Sequence, residues 1–258
     1  NSDKTYCDAN SKKAKSFSID GIKIRLQPAV SLDSREILAF EVSACIEDRF
    51  GGLHDADEIQ PMLLKDKDIR AFDIEVANQT MSLIRSLRRQ GKSPIVFASI
   101  SAKTIKSTPT FNSFLENLHA QRQLSENIVW QIAQSDYKAL SKSCRQRLSE
   151  IKELGFELCL YDCTEEDDAA DTILKGLFKY AKMPAQELEN KNFNQITAPV
   201  PELMVACNKM DATLIMTHVE HERQAIHLID HNLPYAQGGF FSAPKFANTS
   251  NNATQTAS

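Results

Sequence analysis

Three apolar runs in this chain carry polar but uncharged residues at or near their ends: Ser99, then Gln131 and Gln134, then Tyr161. Hydroxyl, amide and phenol groups make good hydrogen bonds. A hard divalent cation prefers carboxylates, and a serine hydroxyl is a poorer and shorter ligand than an amide carbonyl. Charged groups stand nearby at Glu41, Asp162, Lys182 and Glu220. Three of them have an ordinary reading: Glu41 as a surface acid at a strand end, Asp162 as a loop or helix cap, Lys182 as a solvated strand-end lysine. His218, His221, His227 and His231 form a second cluster. His227 and His231 are one helical turn apart, as some zinc sites require, but no third ligand has suitable spacing, and an exposed helix face is the plainer reading. Gly238-Gly239 allows close backbone approach to a ligand, or merely a tight turn.

The elements that must position these residues alternate along the chain. Ile22, Ile24 and Leu26 alternate with polar residues as in a half-buried strand, and a second strand is expected over 37–42. The link Ser31-Leu32-Asp33-Ser34-Arg35 carries turn formers, so the two read as a hairpin. Residues 68–89 place apolar side chains at three- and four-residue spacings, a helix that Gly91 stops. Further strands are expected over 94–100, 128–133, 156–161, 180–183, 213–217 and 235–241, and helices over 111–123, 136–153, 169–178, 200–210 and 219–231. About eight strands, most separated by helices, fit an α/β barrel in 258 residues. The competing doubly wound sheet lacks a Gly-rich phosphate loop after an early strand.

Three segments carry a family resemblance: Leu26-Gln27-Pro28-Ala29-Val30, Phe40-Glu41-Val42-Ser43, and Ala236-Gln237-Gly238-Gly239-Phe240-Phe241-Ser242-Ala243-Pro244. Together they resemble the EAL family, barrel-shaped phosphodiesterases that hydrolyse cyclic di-GMP, over about residues 18–245. The resemblance implies a (β/α)8 TIM-like barrel of EAL type with an antiparallel opening strand. It implies a metal-ligand role at Glu41 and a water-positioning role at Lys182. It also shows losses. Ser99-Ile100-Ser101 stands for Asn-x-Ser, Gln131 and Gln134 replace two glutamates, Tyr161 replaces the first residue of Asp-Asp-Phe-Gly, and Pro184 and Thr217 replace two further acids. Tyr161 could plug the space the metals would take. Cys45 stands where the family has an arginine that contacts a ligand phosphate. Glu41, Asp162, Lys182 and Glu220 are remnants of the catalytic set. Gln27, Glu41, Asp162, Glu220, Gln237 and Pro244 are the expected ligand-binding residues. No catalytic residue, bound metal or cofactor is expected.

The function these losses imply is a catalytically inactive EAL-like domain, a cyclic di-GMP receptor or a protein-interaction scaffold. Its pattern is similar to that of TipF-type flagellar regulators, which implies motility or flagellar signalling. A residual metal-dependent phosphodiesterase and a pure protein scaffold without nucleotide binding are the alternatives. A net charge of −4 gives no electrostatic case for DNA or RNA. No apolar run approaches the roughly 20 residues of a membrane span, and no signal peptide opens the chain. The six cysteines lack C-x-x-C pairing and read as reduced, mostly buried thiols, which gives a cytoplasmic expectation. The start at Asn1 suggests a fragment whose upstream segment could tether it to a membrane. A protein partner and a homodimer are further expectations. Residues 1–17 read as a flexible leader, 18–245 as the barrel, and the polar low-complexity stretch 246–258 as a disordered tail.

Overall fold

Short runs, some alternating and some continuously apolar, form ten strands among the described residues: β1 (Ile22–Ser31), β2 (Ile37–Glu47), β3 (Leu53–Asp55), β4 (Val96–Ser99), β5 (Ile128–Ala133), β6 (Glu157–Tyr161), β7 (Tyr180–Pro184), β8 (Thr213–Thr217), β9 (Tyr235–Gln237) and β10 (Lys245–Phe246). The structure, a computed structural model, describes residues 22–47, 52–55, 58, 65–164, 168–189 and 202–247. β2 and β4 to β9 pair in parallel in chain order. β1 closes the ring, antiparallel to both β2 and β9. The result is an eight-stranded closed barrel of the EAL type, with β3 added to the edge of β2 and β10 to that of β1.

The hairpin turn is closed by the Ser31 N–H donating to the Glu36 carbonyl at 2.9 Å. The helix α1 (Asp66–Arg89) packs Phe72, Val76, Ile84 and Leu87 inward, with Asp66 and Asp68 in its first turn and Arg88 and Arg89 in its last, as the helix dipole favours. Gly91, at φ 75°, ends it.

Inside the barrel each strand repeats one pattern. An apolar layer consists of Ala29, Ala39, Phe97, Val129, Cys159 and Ile215, with Tyr180 and Tyr235 packed against it. Two residues away along each strand, on the same face and toward the C-terminal mouth, stands a polar residue: Gln27, Glu41, Ser99, Gln131, Tyr161, Lys182, Thr217 and Gln237. All eight line one cavity. The period-two geometry therefore builds a dry floor and a polar mouth.

Several elements differ from expectation. β2 continues five residues beyond Val42, because β3 pairs with its end. The helix expected over 136–153 is two, Gln134–Lys138 and Lys142–Glu153, broken at Ser141, whose hydroxyl caps the second by accepting from the Cys144 N–H at 3.2 Å. The 94–100 and 235–241 runs shorten to β4 and β9. The helix over 169–178 shortens to Ala169–Ile173, and that over 219–231 to Glu222–Asp230. The helix expected from 111 begins earlier, at Thr108–Ala120, preceded by a short helix Ala102–Lys106. Phe246, assigned to the tail, pairs with Arg25 in β10. The 1–17 leader and residues 248–258 of the tail lie outside the described residues. The five described cysteines are free thiols, four of them buried. Among the described residues no helix is long and apolar enough to cross a membrane.

Candidate functional site

The C-terminal mouth of the barrel opens into a cavity of about 340 Å³. Glu41 and Lys182, 141 residues apart, meet at its floor in an ion pair. The Lys182 ammonium is nearly sealed from solvent, with 3% of its side chain exposed, so the solvated strand-end reading is corrected. It also donates to Gln131 Oε1 at 2.9 Å and sits 3.8 Å from the centroid of the Phe97 ring, a favourable cation–π position. The Gln131 amide nitrogen donates to Glu41 Oε1 and, at 2.9 Å, to Ser99 Oγ. Each charge thus has an opposite charge and a neutral hydrogen-bond partner, the condition under which a buried ion pair survives its desolvation cost.

Tyr161 lines the same wall, its phenol hydrogen-bonded to Ser99 and its pKa raised by burial. The interior of the polar layer is occupied by the lysine, and the phenol stands beside it. Gln134 has turned away to tie a loop, accepting from the Thr164 N–H at 3.0 Å.

The remaining predicted residues are brought together unequally. Asp162 and Glu220 line the cavity from positions just past β6 and β8. Asp162 has a left-handed backbone, φ 52°, as does His218 at φ 57°. Gln237 donates to Gln27 Oε1 at 3.0 Å, and Gln27 donates to the Ser242 carbonyl at 2.9 Å, so the two amides join β9, β1 and the closing loop. Glu220 accepts from the Gly239 N–H at 3.2 Å. Pro244 does not line the cavity. The His227 and His231 rings lie tilted at 50° to each other with centroids 4.5 Å apart, and the His231 ring nitrogen meets the His227 carbonyl at 2.8 Å.

One cavity residue escaped the sequence reading. Asp73 lies on the buried face of α1, and its Oδ2 accepts from the Ser101 N–H at 3.0 Å, Ser101 Oγ at 2.5 Å and Thr104 Oγ1 at 2.6 Å. The available signal was an acid inside the apolar stripe, between Phe72 and Val76. Burial pushes its carboxyl pKa up, against the lowering effect of these hydrogen bonds. A folded pKa above the ordinary value of 3.8 means the unfolded chain releases this proton first, so the contribution is fully present below 3.8 and is lost as pH rises through the folded value. Asp73→Asn, which cannot ionise, should remove that part of the pH dependence in urea unfolding. Asp73→Ala should cost about 1–3 kcal/mol by leaving buried donors unmade. Identical pH profiles for the wild type and Asp73→Asn would refute the account.

The sequence matches the EAL domain family model over residues 12–244. The chain belongs to the EAL domain family. No curated protein matches it. Among solved structures, the Vibrio cholerae LapD S helix-GGDEF-EAL (apo) superposes with a TM-score of 0.74 at 16% identity, covering 87% of this chain and 54% of that one, so this chain spans about half its length. The PaMucR phosphodiesterase in its c-di-GMP complex gives a TM-score of 0.74 at 14% identity, covering 88% and 93%. The Xanthomonas citri FimX EAL domain in complex with c-diGMP gives 0.74 at 12%, covering 90% and 91%. At these identities the likeness shows the fold.

The metals that the resemblance implies do not fit the residues of this EAL domain. The Glu41 carboxylate is already held by Lys182 and Gln131, and Ser99, Gln131, Tyr161 and Thr217 bring no negative charge. Among the described residues no three His, Cys, Asp or Glu side chains converge to hold an ion. An ammonium stands beside the carboxylate that a divalent cation would need.

Proposed function

We propose that this EAL domain has lost metal-dependent hydrolysis and works by binding, as a cyclic di-GMP receptor or a protein-interaction scaffold in motility or flagellar signalling. The observation that carries the reading is the clamp of Lys182 on Glu41 and Gln131. Two-metal hydrolysis needs two cations about 3.5–4 Å apart, each held by several anionic oxygens. Here a side-chain ammonium neutralises the one carboxylate at the floor. Receptor function is supported by what stays open: the mouth, with Gln27 and Gln237 on its wall, remains a cavity. The PaMucR and FimX structures are complexes with c-di-GMP, so the fold accommodates this ligand in those proteins.

A pure protein scaffold is the second reading, favoured by charge. Glu41, Asp73, Asp162 and Glu220 line the cavity against the single lysine, a balance that opposes a dianionic nucleotide. Incubation with cyclic di-GMP and Mn²⁺ or Mg²⁺ is expected to yield no linear dinucleotide. Calorimetric titration is expected to give the same saturable binding with divalent metal and with chelator. Metal-dependent turnover would overturn the inactive reading. Absence of binding heat at two temperatures would overturn the receptor and leave the scaffold.

A further inference from the structure

Two buried polar atoms have no hydrogen-bond partner among the described residues, and they belong to cross-strand neighbours: Arg25 Nε and Ser43 Oγ. Ser43 lines the cavity. Arg25 shares a strand face with Gln27, one step further toward the open end of the hairpin. Arg25 pairs in register with Ser43, yet its Nη2 reaches Asp55, whose register partner is Cys45. The side chain therefore crosses β2 above Cys45, which is fully buried. Burial pushes the Cys45 thiol pKa up, and the largest opposing influence is the positive charge of Arg25, in keeping with that placement.

The two donors of this guanidinium edge differ. One nitrogen is held by Asp55, a carboxylate with 54% of its side chain exposed, while only 18% of the Arg25 side chain is exposed. Nε, on the same edge as Nη2, is desolvated and has no hydrogen-bond partner among the described residues. A buried donor left unmade is costly, and a guanidinium presents its paired donors in a fork that matches an oxyanion. Lys23 and Glu47 form a more exposed ion pair further along the same hairpin, adding a second cation on this approach.

We propose that Arg25 and Ser43 form an oxyanion subsite at the mouth of the cavity that takes a phosphodiester group, with Asp55 as the internal carboxylate the phosphate displaces. The choice of a phosphodiester rests on the receptor reading above. The subsite offsets the acidic lining by supplying, from β1, a cation for the ligand.

The test uses the whole chain and two probes, cyclic di-GMP and dimethyl phosphate, the second carrying the phosphodiester alone. Asp55→Asn lies at an exposed position and should fold as the wild type does. It should bind cyclic di-GMP several-fold more tightly, because the competing carboxylate is gone. Arg25→Ala should weaken binding by tenfold or more and Ser43→Ala by a few-fold, with thermal melts confirming folding. The Arg25 Nε–Hε resonance, assigned by its loss in Arg25→Lys, should shift with cyclic di-GMP in the wild type and with dimethyl phosphate in Asp55→Asn. If cyclic di-GMP binds but neither the resonance nor the Arg25→Ala affinity changes, the subsite is wrong and the receptor stands. If cyclic di-GMP fails to bind while dimethyl phosphate shifts the resonance in Asp55→Asn, the receptor reading fails and the oxyanion subsite stands. No shift with either probe overturns the subsite in every case.

Discussion

Lys182→Met should destabilise the domain by about 3–5 kcal/mol, because removing one member of a buried ion pair leaves the other charge uncompensated. The methionine keeps most of the length and apolar bulk, so lost packing contributes little. What is lost is the ammonium on Glu41 and its hydrogen bond to Gln131 Oε1 at 2.9 Å. Glu41→Gln alone should also be costly, since Lys182 then keeps its charge with only amide partners. The double variant Lys182→Met/Glu41→Gln should recover much of the loss, because both charges go together. Urea unfolding of the four proteins gives the coupling energy directly. Strictly additive single effects, each below about 1 kcal/mol, would mean the clamp contributes nothing, and the case for an internally neutralised site would fall with it.

Gly238→Ala is the second large effect expected. A Cβ built there lies 2.1 Å from the Val219 carbonyl oxygen and 2.4 Å from the Val219 nitrogen. Those atoms are fixed: the Val219 N–H donates to the Gln237 carbonyl at 3.1 Å, and the Val219 carbonyl accepts from the Phe240 N–H at 3.0 Å. A methyl group must separate two hydrogen-bonded backbone segments, so the cost should reach about 3 kcal/mol or more, above the usual range for overpacking. At Gly239 the nearest obstacle is Glu220 Oε2, the end of a flexible side chain, at 2.3 Å. Gly239→Ala should therefore cost less than about 1 kcal/mol. Comparable melting-temperature losses for the two variants would show that chain entropy, and not the close approach at Val219, decides both. Gly238→Ala should also disturb the wall beside Gln237 and so reduce ligand binding out of proportion to its neighbour.

How much of this was legible beforehand differs by element. The hairpin and α1 were readable because each carries its own period, two residues for a strand in contact with one face and three to four for a helix on a core, and β5 and β8 because each is a short continuous apolar run, the mark of a strand buried on both faces. β3 and β10 were not, since three and two residues carry no period and owe their pairing to the strands beside them. The break at Ser141 had a local cap signal in the serine itself, which the structure uses and which one helix drawn over 136–153 passes over. Within the site, the absence of acids at 99, 131, 134 and 161 was plain in the sequence. The use made of what remained was not.

The sequence by itself determined the family, the barrel, and which charges the mouth of the barrel lacks. Those follow from residue types and short-range spacing, which the chain carries wherever it folds. The tertiary structure alone decided three things: that Lys182 is buried on Glu41, that Gln131 bridges the two, and that Arg25 reaches over Cys45 toward Asp55. Each is a pairing between strands set by sheet register and side-chain direction, joining residues 30 to 141 positions apart. No local pattern specifies such a pairing, because the energy that selects it appears only when closure of the barrel excludes water from both partners.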